Sequence, residues 1–153
     1  MFGHDAIAIF FALLLGAVLG LEREISGKAA GLRTNVLICM GAALFTIISR
    51  RMGEGESVTR IAAQVVSGIG FLGAGAIIQD RGGIKGLTTA ATIWLVASVG
   101  VSCGAGYYGL AFIAAIAAVI VLFGLAKVEK RIKKSLKSQS PTAEDHEQPK
   151  TTD

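Results

Sequence analysis

Five long apolar blocks run through this chain, and they leave it few ways to fold. They extend from Ala6 to Leu21, Thr34 to Ser49, Ile61 to Gln79, Gly86 to Gly104, and Tyr107 to Ala126. About 20 apolar residues in a helix cross the hydrocarbon core of a bilayer, and slightly shorter ones reach across with flanking residues or local thinning. Lipid offers no partner to an open backbone, so such blocks are expected to be helical. Only 17% of the residues are charged, against about 25% in a soluble domain. The expected fold class is all-α, a polytopic transmembrane helical bundle of about five spans occupying residues 1–126.

The first block opens with Met-Phe-Gly-His-Asp and has no Lys or Arg before it. A secretory leader begins with positive charge, so this block is read as a retained first span. Orientation follows from the cations in the connections. With the N-terminus outside, the cytoplasmic side holds Arg23, Lys28, Arg33, Arg81, Lys85 and seven Lys or Arg after Ala126. The outer side holds only Arg50, Arg51 and Arg60. The expectation is N-out and C-in.

Residues 127–153 read as a basic juxtamembrane segment followed by a disordered cytoplasmic tail. Lys127 to Lys137 carries six cations and one Glu, with Val128, Ile132 and Leu136 on one helical stripe. This pattern suits either a short helix on an anionic leaflet or a solvated anchor behind the last span. Ser138 to Asp153 contains Pro141, Pro149 and mostly polar residues, a composition without a core. The bilayer is the partner expected for these cations, and nucleic acid is not.

Glycine-rich motifs inside the spans invite two readings. Gly68, Gly70 and Gly73 fit the spacing of a dinucleotide fingerprint, but that fingerprint needs a strand before it and a soluble βαβ unit around it. Within an apolar run, small residues serve close helix packing. That reading is adopted for Gly68, Gly70, Gly73 and Gly75, and for the pairs Gly16 with Gly20 and Gly100 with Gly104. Gly27-Lys28 fails as a phosphate loop, because Glu22 holds the upstream glycine position and Ala29 the magnesium-binding hydroxyl position. Cys39 and Cys103 lie inside apolar blocks and read as small packing residues.

The charged residues gather at the end of the first span. Glu22, Arg23 and Glu24 sit at a helix C-terminus, where the dipole disfavours carboxylates and invites cation partners. Glu22 or Glu24 is expected to pair with Arg33 or Arg81 and so staple two cytoplasmic loops together. Thr34 and Thr88 stand where they could N-cap the second and fourth helices. The expected functional surface is therefore Glu22, Arg23, Glu24, Arg33, Thr34, Asn35, Thr88 and Thr89.

Composition and spacing exclude several function classes. No nucleophile with a base beside it, no metal-ligand cluster and no cofactor motif emerges, so no catalysis, no metal and no cofactor is expected. No Asp, Glu, Lys or Arg lies at mid-depth in a span, whereas ion pathways usually show such groups. A transporter for magnesium or another small solute is the rival class, and it would need a polar path past Gln64, Ser67 and Ser98.

Several segments resemble the MgtC/SapB family of bacterial membrane proteins. They are Gly20-Leu21-Glu22-Arg23-Glu24, Ala30-Gly31-Leu32-Arg33-Thr34-Asn35, Arg60-Ile61-Ala62-Ala63-Gln64, the glycine run Gly68 to Gly75, and Gly86-Leu87-Thr88-Thr89-Ala90-Ala91-Thr92-Ile93-Trp94. The resemblance implies a bacterial inner-membrane protein of five spans that modulates other membrane proteins, the F-type ATP synthase among them, and that serves magnesium-limitation adaptation or virulence. It leaves homo-oligomerisation open. MgtC itself carries a cytoplasmic ACT-like domain after its last span, and some members have Asn at the position of Thr88. The expectation is thus a short, SapB-like member.

Overall fold

A computed structural model describes residues 2–52, 57–80 and 83–138. Five helices form, α1 (Phe2–Ile25), α2 (Leu32–Met52), α3 (Ser57–Gly75), α4 (Leu87–Gly104) and α5 (Tyr108–Ser138). Four of them, α1, α2, α4 and α5, are long and apolar enough to cross a membrane. Helix α3 has 19 residues, and at 1.5 Å per residue it reaches about 28 Å, close to a hydrocarbon core of about 30 Å.

The third block departs from the expectation at its C-terminal end. Its helix stops at Gly75, and Ile78–Asp80 (β1) pairs antiparallel with Gly83–Lys85 (β2), Ile78 opposite Lys85 and Asp80 opposite Gly83. Gly83 adopts φ 109°, open to glycine at little cost. A small hairpin therefore joins α3 to α4.

Helix α2 is the central element, and glycines set its distance from two neighbours. A Cβ on Gly16 of α1 would lie 2.9 Å from the Cβ of Cys39, and one on Gly20 would lie 2.8 Å from the Cα of Leu32. On the other flank, a Cβ on Gly100 of α4 would meet the Cys39 carbonyl and approach Ala42 to 2.9 Å. A Cβ on Gly104 would meet the Ala43 carbonyl and approach Thr46 to 2.8 Å. Numbering rises along α2 as it falls along α1, and rises in step along α4. So α1 and α2 run antiparallel, while α2 and α4 run parallel. Leu19, Cys39, Ala43, Val96 and Cys103 are sealed in the core between them.

The glycines of α3 behave differently. Gly68, Gly70 and Gly75 have nothing within 4 Å of a would-be Cβ, and Gly73 makes only ordinary contact with Ala90 at 3.7 Å. Among the described residues, three of the four therefore take part in no close helix approach.

The basic segment after the last span is a direct continuation of α5, which runs unbroken for 31 residues, about 46 Å. Val128 and Ile132 are exposed along it. The expected disordered tail lies, apart from Ser138, outside the described residues.

Candidate functional site

One end of the bundle collects the loop between α1 and α2, the hairpin, and the start of α4. Glycine chemistry closes α1 there. Gly27 sits at φ 63°, with its N–H on the Glu24 carbonyl and the Lys28 N–H on the Arg23 carbonyl, both at 3.0 Å. These two bonds make a Schellman motif, which satisfies orphan carbonyls of the last turn. The Gly27-Lys28 pair thus ends a helix.

Inside this end, Glu22 and Arg23 are both buried, each only 3% exposed. The Arg23 guanidinium donates through Nε to the Glu22 carboxylate, and the Ser26 hydroxyl donates to the same carboxylate at 2.8 Å. Asn35, fully buried, donates through Nδ2 to the carbonyls of Ala30 (2.7 Å) and Gly31 (2.8 Å). Two buried polar atoms, Arg23 Nη1 and Asn35 Oδ1, find no hydrogen-bond partner among the described residues. Groups of this kind are costly to leave unmet in a low-dielectric interior. Thr89 and Thr92 are buried on the facing part of α4, and Thr92 Oγ1 donates to the Thr88 carbonyl at 2.8 Å.

Among the described residues the expected staple to Arg33 does not form, and Glu22 and Glu24 make two other contacts. Glu22 takes its neighbour Arg23, and the exposed Glu24 accepts the backbone N–H of Leu32 at 2.9 Å. The reason is geometric: the loop turns so tightly that Glu24 meets the first-turn N–H of Leu32 on α2, while Arg33 on the same turn is exposed. Arg33 is exposed, and Arg81 lies outside the described residues. The threonines are not caps either. Thr34 is the third residue of α2 and Thr88 the second of α4, and both are exposed. The cap of α4 is Gly86, at φ 92° and with no side-chain hydrogen bond, while Glu24 serves the start of α2. Sequence reasoning did not foresee Ser26 as a ligand of Glu22, although its i+4 spacing on one helix face was a readable signal.

At the opposite end, Arg50 Nη1 donates to the Gly104 carbonyl at 3.0 Å, Arg51 pairs with Asp5, and Phe11 stacks on Tyr108 with ring centroids 5.0 Å apart. These contacts tie α2 to α4 and α1 to α5 at that end.

With that geometry in view, similarity to known proteins becomes interpretable. A family model described as the MgtC family matches residues 9–131. The chain belongs to the MgtC family. It is 48% identical over 118 residues to Protein MgtC of Brucella abortus, covering 77% of this chain and 50% of that protein. It is 47% identical over 121 residues to Protein MgtC of Salmonella typhimurium, covering 79% and 52%. An uncharacterized protein of Synechocystis is 46% identical over 122 residues, covering 80% and 52%. The chain thus spans about half the length of these MgtC relatives. No solved structure matches it. The matched region of the MgtC family takes in every residue of the polar end described above.

Proposed function

We propose that this membrane protein of the MgtC family works without catalysis, by binding and modulating another protein of a bacterial inner membrane. The polar end of the bundle is the contact surface, and it faces the cytoplasm in the N-out, C-in orientation that the Lys and Arg distribution favours. One observation carries the reading. The Asn35 amide and the Glu24 carboxylate hold the loop to the start of α2 beside the buried Glu22–Arg23 pair, while Arg33, Thr34 and Thr88 are exposed at that same end.

A fixed platform under exposed polar groups suits recognition of a partner, because little side-chain and loop ordering remains to be done on binding. The test is affinity capture from native bacterial membranes with the intact chain and with Arg33→Glu/Thr88→Lys. A discrete membrane protein recovered with the intact chain and lost with the double variant supports the proposal. Recovery equal for both chains refutes it, and so does magnesium flux in reconstituted vesicles that Glu22→Gln abolishes.

A further inference from the structure

A groove runs between α2 and α3 on the flank of the bundle. Its deeper part encloses about 470 Å³ against Gly41, Phe45, Gln64 and Gly68. Its other part, about 550 Å³, continues along Phe71 and Gly75 to Arg33 and Thr34. The two parts share Leu37, Ile38 and Leu72, so they form one channel open to the side. Gly41 and Gly68 keep it open, since neither has anything within 4 Å of a would-be Cβ.

We infer that this groove holds one acyl chain of an anionic phospholipid, with its phosphate at Arg33. Three observations on the molecule select that occupant. First, the walls are apolar apart from Gln64 and Thr34, and among the described residues one charged side chain, Arg33, lines the groove, at one end. Second, Arg33 and Phe45 are twelve residues apart on one helix, a rise of about 18 Å. That length matches one leaflet, half of a hydrocarbon core of about 30 Å, or about 15 Å. Third, Arg33 is exposed and forms no ion pair with another described residue, and Thr34 lines the same end of the groove. Basic pockets between membrane helices take anionic headgroups by this charge complementarity. A second copy's helix would cover the apolar walls and leave Arg33 without an anion. The inference shares Arg33 with the regulator reading but is read separately, because its measurement is lipid quenching in the groove and not capture of a protein.

The test uses the full chain in vesicles, with the indole as reporter. Trp94, the one native tryptophan, lies on α4 outside the groove lining and is exposed, so it serves as the reporter for lipid away from the groove. Phe45→Trp in a Trp94→Phe background places the reporter at the deep end of the groove. Leu37→Trp, at an exposed mid-groove position, is a second reporter should the first fail to fold. Quenching is compared between phosphatidylglycerol and phosphatidylcholine brominated in mid-chain. The expected result is about five-fold tighter quenching by the brominated phosphatidylglycerol in the groove, with no preference at Trp94. Arg33→Gln removes the preference, and Gly68→Leu removes most quenching of the groove reporter by both lipids. Equal quenching of that reporter by the two lipids overturns the inference. No quenching by either overturns it too, as when a second copy fills the groove, and so does a preference that survives Arg33→Gln.

Discussion

Gly100 on α4 lies directly against the carbonyl oxygen of Cys39 on α2, with no room for a methyl group between them. Below it Gly104 stands in the same relation to Ala43. Two parallel helices are thus held at backbone contact, the arrangement that small residues permit in a membrane. Gly100→Ala and Gly104→Ala are each expected to destabilise the bundle by about 1–3 kcal/mol, the range for overpacking. Gly70→Ala, which meets open space inside α3, is expected to leave the melting temperature in detergent unchanged or to raise it slightly, since Ala favours a helix interior over Gly. Equal melting temperatures for all three variants would refute this account of the α2–α4 contact.

The ion pair at the end of α1 makes a sharper claim. Glu22 and Arg23 are buried together, and removing one partner of a buried pair costs about 3–5 kcal/mol because the other charge is left uncompensated. Glu22→Gln and Arg23→Met should therefore each be severely destabilising. The double change Glu22→Gln/Arg23→Met discards both charges and should recover most of that loss. A double-mutant cycle on thermal unfolding reads this, and simple additivity of the two changes would count against it.

Glu24 gives a milder effect by a different route. Its carboxylate accepts the Leu32 N–H across the loop, the service an N-cap side chain normally supplies. Glu24→Ala is expected to cost about 0.5–2 kcal/mol, and Glu24→Gln, which keeps an acceptor, less. Gly31→Ala should mimic Glu24→Ala, since a Cβ there would collide with the carboxylate. Faster exchange of the Leu32 amide in both variants is the diagnostic measurement.

The spans were legible in the sequence because hydropathy acts over long windows. The apolar blocks around Leu15, Val96 and Ala115 all became helices, with these residues inside the bundle. Packing partners were less legible. Gly16 and Gly68 look alike as small residues in apolar runs, yet one touches Cys39 and the other touches nothing, a difference set by tertiary placement alone. The third block read as one span because Ile77 and Ile78 are as apolar as the helix before them. Yet β-branched residues ahead of Gly82 and Gly83 are also strand and turn signals. At the polar end, the residues were visible but their partners were not. Charge counting suggests that Glu22 seeks a distant cation, and it cannot weigh the adjacent Arg23 or the bond from Ser26.

Asn35 tests the loop itself. Its amide nitrogen donates to two successive loop carbonyls, of Ala30 and Gly31, while Oδ1 goes without a partner among the described residues. Asn35→Ala takes the side-chain donor from the buried Ala30 carbonyl, while the Gly31 carbonyl keeps the backbone N–H of residue 35, and should cost about 1–3 kcal/mol for the one group left unsatisfied. Asn35→Asp should be worse near neutral pH, because a carboxylate would face the same two carbonyls with no proton to offer them. The sign with pH follows. Burial beside carbonyls raises the carboxyl pKa in the folded state, so folding favours the protonated form and the deficit shrinks as pH falls. Thermal unfolding of both variants at neutral and acidic pH should show Asn35→Asp gaining on Asn35→Ala as the solution is acidified. A constant gap between them would mean that the amide does not hold the loop through its donated hydrogen bonds.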